Sequence, residues 1–224
     1  MKKAIAILLS LTMILGLAAC GNSASQTEQP STEDTSVESK ADTKSAENST
    51  DMENTDNQDV QDHKVLVAYF SATGTTKGVA EHIANGLNAD IYEIVPEEPY
   101  TDADLDYNDN NSRTTIEMND PNARPAISGS VENMEQYDTV FIGYPIWWGE
   151  APRIVSTFVE SYDFSGKTIV PFCTSGGSDM GSSATNLEQL TNGATWLDGR
   201  RLNGSDSQDT VMEWVNSLDL NLGK

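Results

Sequence analysis

Three observations predict a doubly wound α/β domain over residues 64–224. Short apolar runs alternate with segments of helical period; the runs are apolar at consecutive positions, as strands buried on both faces are; and the first run ends in a turn of hydroxyls and one glycine that opens directly into a helical pattern. The first strand is Val65 to Phe70, and the helix behind its turn carries Val79, Ile83 and Leu87 on one face. Asp90 to Val95 reads as the second strand. Pro96 to Ser130 is polar and without period, which predicts a segment laid across one end of the sheet. Asp138 to Gly143 is the third strand, and Pro152 opens a helix through Ile154, Phe158 and Val159. Lys167 to Phe172 is the fourth strand, followed by a helix from Ser182 or Ser183 that carries Leu187 and Leu190. A short fifth strand over Ala194 to Leu197 and a last helix with Val211, Trp214, Val215 and Leu218 complete the alternation. Right-handed crossovers then give a five-stranded parallel sheet with helices on both faces.

The residues before this domain belong to a different class of sequence. Lys2-Lys3 followed by the apolar run Ala4 to Ala19 is a positive n-region and an h-region, shorter than the roughly 20 residues of a membrane span. The run closes in Leu17-Ala18-Ala19-Cys20, which resembles a bacterial lipobox and implies that Cys20 is lipidated, anchoring the protein to the outer side of a cell membrane. Residues 21–63 form an acidic, Ser/Thr-rich linker with almost no apolar side chains, which cannot offset the entropy of ordering and reads as a disordered tether of about 35 Å reach. With Cys20 carrying lipid, Cys173 is left alone in an apolar run and reads as a buried, inert thiol. A net charge of −22 argues against nucleic acid and anionic lipid surfaces as partners, and for a basic docking face on any protein partner.

The chemistry sits in three loops that leave strands one, three and four. In Ser71-Ala72-Thr73-Gly74-Thr75-Thr76, backbone N–H groups, hydroxyls and a helix N-terminus converge on one point without an arginine, an arrangement that holds a phosphomonoester by neutral hydrogen bonds and the helix dipole. The second loop is Tyr144-Pro145-Ile146-Trp147-Trp148-Gly149-Glu150, and the third is Thr174-Ser175-Gly176-Gly177-Ser178-Asp179. The Ser/Thr-x-Thr-Gly-x-Thr spacing, the Pro-Ile-Trp-Trp-Gly segment and the Thr-Ser-Gly-Gly segment together resemble the short-chain flavodoxins over the whole domain. That resemblance implies FMN as cofactor, with Ser71, Ala72, Thr73, Gly74, Thr75 and Thr76 around its phosphate. It also implies that Pro145, Ile146, Trp147, Trp148 and Gly149 border one side of the isoalloxazine ring and Thr174, Ser175, Gly176 and Gly177 the other. Adjacent residues of an extended segment point to opposite sides, so at least one of Trp147 and Trp148 packs on the protein. The third loop has no aromatic residue, which leaves the ring exposed on that side. The resemblance further implies an electron carrier acting with a redox partner protein, although the same fold serves NAD(P)H-dependent reductases of quinones and flavins, and flavin-capturing modules.

Other patterns point to sites that their residues do not complete. Asp102-Ala103-Asp104-Leu105-Asp106-Tyr107-Asn108 has Tyr107 where a calcium loop needs glycine, and Arg113 where it needs the bidentate glutamate. Asp179 to Thr185 loosely resembles an acceptor of covalently bound flavin, with Ser183 in place of glycine, and is better read as a helix start. His63 and His82 lack partners at ligand spacing, so no metal site is expected. Asp102, Asp104, Asp106 and Glu150 fall in loops at the flavin end, where their charge opposes adding electrons to a cofactor.

Overall fold

The computed structural model describes residues 63–220. The proposed leader, Cys20 and most of the linker lie outside them. The main sheet is parallel throughout, in the order β2-β1-β5-β6, with β7 and β8 both on the outer edge of β6. Strand β1 is Lys64–Tyr69 and β2 is Asp90–Glu93; β5 is Tyr137–Pro145 and β6 is Thr168–Thr174. The chain runs from β1 outward to β2, then crosses back to place β5 on the other side of β1. That reversal opens a crevice at the carboxyl ends of β1 and β5.

Alternation along β1 shows why the run is apolar at every position. Leu66, Ala68 and Phe70 face one layer with Val140, Ile142 and Tyr144 of β5, against helix α3 (Arg153–Glu160) and α4 (Ser183–Glu188). Val65, Val67 and Tyr69 face the opposite layer, against α1 (Thr75–Leu87) and α5 (Gln208–Asn216). Both faces are therefore core.

Three departures from the sequence reading have identifiable causes. The second strand stops at Glu93, and Val95–Pro96 forms a separate strand β3, antiparallel to β4 (Ile127–Ser128). The polar stretch 96–130 also contains a helix α2 (Arg113–Asn119), begun by Ser112, whose hydroxyl accepts from Thr115 N–H. The inward face of α2 carries Thr114, Thr115 and Met118 while Ile116 is exposed, so the helix shows no hydrophobic period. Lastly, the fifth strand position holds two pieces, β7 (Thr195–Trp196) and β8 (Arg200–Leu202), paired with the first and last thirds of β6. Pro171, in the middle of β6, has no N–H to give across the sheet, and the outer strand is interrupted opposite it. Gly199 fills the break: a Cβ there would lie 2.6 Å from the Pro171 carbonyl oxygen.

One smaller reading is settled by burial. Cys173 is fully buried, and burial pushes its thiol up to about 12. Among the described residues no helix is long and apolar enough to cross a membrane, and no cluster of His, Cys, Asp or Glu could hold a metal ion. Residues 101–108 instead close on themselves, with Asp104 accepting from Thr101 and Asp106 from Asn108. His63 does have a neighbour, Asp138, at 3.4 Å.

Candidate functional site

The three loops meet in one cleft of about 280 Å³ at the carboxyl ends of β1, β5 and β6. Its floor is the start of α1. Gly74 sits at the helix cap with φ +84°, a conformation that costs other residues energy and turns the chain straight from strand into helix. No side chain caps α1, its first turn holds no carboxylate, and the N–H groups of Thr75, Thr76 and Lys77 have no partner among the described residues. A 13-residue helix therefore presents three bare donors and the positive end of its dipole to the cleft. Thr73 and Thr75 add hydroxyls 3.4 Å apart. This donor set fits a phosphate monoester. Lys77 does not contribute its charge, because its ammonium turns to Glu93 at 3.4 Å.

Hydrogen bonds fasten the loops to one another. The buried hydroxyls of Thr76 and Thr174 meet at 2.8 Å, joining the first loop to the third. Ile146 N–H donates to the Thr174 carbonyl at 2.9 Å, joining the second to the third. Within the second loop, Trp147 and Glu150 exchange backbone hydrogen bonds at 2.9 Å around Trp148 (φ +49°) and Gly149 (φ +81°). Two consecutive left-handed residues make this a type I′ turn, which favours Asn-Gly; here a tryptophan occupies the first strained position.

The turn sends the two tryptophans apart. Trp147 is buried and lines the cleft, packed edge-on against Phe70 and Tyr100, each at 5.4 Å between centroids. Tyr100 is itself braced: its hydroxyl donates to Glu117 at 2.7 Å, and the Arg113 guanidinium lies 4.1 Å over its ring. Burial, reinforced by Glu117, pushes the Tyr100 hydroxyl far above the ordinary tyrosine range. Trp148 is 45% exposed and stands outside the cleft lining, edge-on to the exposed Tyr107 at 5.7 Å.

The residues that line the cleft are Ser71, Ala72, Thr73, Thr75, Thr76, Pro145, Ile146, Trp147, Thr174, Ser175 and Gly176, joined by Leu105 and Tyr107. Gly74, Trp148, Gly149 and Gly177, also picked from the sequence, shape the loops without lining the cleft. Leu105 and Tyr107 were hidden in the segment without period. Their signal was two large apolar side chains standing alone among aspartates. Ser182 occupies the cap position of α4, yet its hydroxyl donates to Glu150 at 3.0 Å; Thr185 is exposed and away from the cleft, so it has no place in the site.

Comparison with known proteins agrees with this geometry. The model of the flavodoxin family matches residues 64–218, and a candidate flavoprotein from Bacteroides eggerthii is 49% identical, with TM-score 0.67, over 70% of this chain and 99% of its own. The chain belongs to the flavodoxin family. A second candidate flavoprotein, from Bacteroides uniformis, is 47% identical over 69% of this chain and 98% of its own, with TM-score 0.66. A flavoprotein from Lactobacillus acidophilus, solved in complex with FMN, shares the fold at 21% identity and TM-score 0.54, over 70% of this chain and 99% of its own. A search of curated proteins finds no match. The flavodoxin domain thus accounts for nearly the whole length of each of these structures, and residues 1–63 stand outside it.

Proposed function

We propose that this flavodoxin is an FMN-binding electron carrier, tethered through Cys20 to the outer face of a cell membrane. The observation that carries the proposal is the start of α1: three unpartnered N–H donors at the floor of a cleft, in a chain of net charge −22 that offers anions few other places to bind. Bound FMN supplies the electron-accepting chemistry, and the chain supplies position and field. The backbone donors of Thr75, Thr76 and Lys77, with the hydroxyls of Ser71, Thr73 and Thr75, hold the phosphate. Trp147, fixed by Phe70 and Tyr100, gives the ring a rigid apolar wall, and Ile146 and Pro145 extend it. Glycines of the third loop allow backbone groups to approach the ring closely.

Among the described residues that line the cleft there is no His, Asp, Glu, Lys or Cys. The one nearby thiol, Cys173, is fully buried with its proton held tightly, and the tyrosine hydroxyls that shift are raised away from neutrality. Asp102, Asp104 and Asp106 stand on the segment that brings Leu105 and Tyr107 to the cleft, so negative charge surrounds the site and makes this a low-potential donor for a partner with a basic face. Glu150 adds to that charge while its carboxylate accepts from Ser182 and Asn186.

Anaerobic photoreduction of the FMN-loaded protein, followed by reoxidation with a basic one-electron acceptor, tests the proposal. A carrier cycles repeatedly between oxidised and reduced spectra and transfers electrons more slowly as salt is added. Rapid bleaching by NADPH without any partner would identify a reductase instead.

A further inference from the structure

A second cavity, about 290 Å³, lies between α3 and α4 and shares no lining residue with the flavin cleft. Its polar groups divide sharply into spent and free. Arg124 uses its donors on Glu160, at 2.6 and 2.9 Å, and on the Pro121 and Ala123 carbonyls. The Ser183 hydroxyl is spent on Met180 and Tyr144, and each oxygen of Glu150 accepts one hydrogen bond.

Arg153 and Ser156, one helical turn apart at the start of α3, are different. Arg153 donates from Nε and Nη2 to the Glu117 and Met118 carbonyls, while among the described residues Nη1 has no partner and no carboxylate lies within ion-pair distance. Ser156 is 6% exposed, lines the cavity, and its hydroxyl has no hydrogen-bond partner among the described residues. That hydroxyl opens onto the cavity rather than being sealed in the core, so it is free to donate to a group that enters there. The first turn of α3 carries no acidic side chain, and its dipole adds positive potential at the same end.

We propose that this cavity binds a small organic monocarboxylate, held by Arg153 Nη1 and the Ser156 hydroxyl, with its carbon skeleton against Ala151, Leu187 and Leu190. The charge count selects the class. One guanidinium is without a carboxylate partner, and Glu150 also lines the cavity without a cationic one, so a monoanion meets less repulsion there than a dianion such as phosphate. The apolar lining adds affinity for a carbon chain that an inorganic anion lacks, and the volume is at the small end of ligand pockets.

The experiment is an amide chemical-shift titration of the protein with butyrate, benzoate and inorganic phosphate at matched ionic strength. Saturable shifts confined to residues 153–156 and 186–190 with butyrate or benzoate are expected, and Ser156→Ala should weaken them by about five- to tenfold while leaving the spectrum otherwise native. Arg153→Gln should abolish them. Because Arg153 also holds the last carbonyls of α2, the serine variant is the decisive one. Tighter binding of phosphate than of either carboxylate, shifts that do not saturate, or a carboxylate affinity unchanged in Ser156→Ala would overturn the proposal.

Discussion

Replacing Thr76 by valine separates a hydroxyl that braces the site from one that waits for a ligand. The Thr76 and Thr174 hydroxyls meet at 2.8 Å with their residues 1% and 3% exposed, so neither has bulk water as an alternative partner. Valine keeps the shape and removes one polar atom. In Thr76→Val the Thr174 hydroxyl is left buried without its partner, which costs about 1–3 kcal/mol; Thr174→Val creates the mirror-image orphan at similar cost. The double variant leaves no orphan, since both polar atoms go together and two methyl groups meet in a dry contact. It should therefore cost little more than either single change, giving a coupling energy of about 1–2 kcal/mol. Urea unfolding of the four flavin-free proteins, followed by tryptophan fluorescence, measures the cycle, with equal slopes confirming that all four unfold alike. Additive losses, with the double variant twice as destabilised as the singles, would refute the idea that these hydroxyls bind each other to lock the first loop to the third.

The remaining predictions concern the turn, one ion pair and the buried thiol. At position 148, where φ is +49°, Trp148→Gly should be more stable than Trp148→Ala by about 1 kcal/mol, the reverse of the usual order; alanine winning in denaturant unfolding would mean that the turn is not type I′. Arg124 holds the Glu160 carboxyl below its ordinary value, so its contribution is present at neutral pH and is lost as pH falls from the ordinary carboxylate value of about 4.3 through the lowered one. Glu160→Gln should then cost about 0.5–1 kcal/mol at pH 7, the pair being partly exposed, and progressively less as pH falls below the ordinary carboxylate value; a cost that does not shrink with falling pH would contradict the pairing. Cys173 should resist alkylation at pH 8 until the domain unfolds globally, as time courses in graded urea would show, and fast labelling of the native protein would contradict its burial.

Wherever burial repeats with the period of an element, the fold was legible in the amino-acid sequence. Val65 to Phe70 and Val140 to Ile142 are apolar because both faces of β1 and β5 are covered, and the loops behind them stand out because hydroxyls, glycines and paired tryptophans interrupt that pattern. Helix α2 was illegible because its buried face is made of threonines and one methionine, held by Ser112, by the Arg113–Glu117 pair and by Tyr100. Strand β8 was illegible for the opposite reason: Arg200-Arg201-Leu202 buries only Leu202, and it forms because β6 offers an unpaired edge beyond Pro171. The choice between the two tryptophans depended on a backbone feature. Alternation assumes an extended segment, whereas the left-handed Trp148-Gly149 pair turns the chain back within one residue and sends Trp148 out toward Tyr107.

The central claim is that bare donors at the start of α1 hold the phosphate of FMN, and the ratio of FMN to riboflavin affinity measures it most directly. The two ligands differ only in that phosphate. The unmodified protein should bind FMN far more tightly than riboflavin, and Thr73→Val with Thr75→Val should cost FMN roughly 2–4 kcal/mol, at about 1–2 per hydroxyl lost to a charged group, while leaving riboflavin nearly unchanged. Equal affinities for the two flavins, or equal losses in the double variant, would contradict the account.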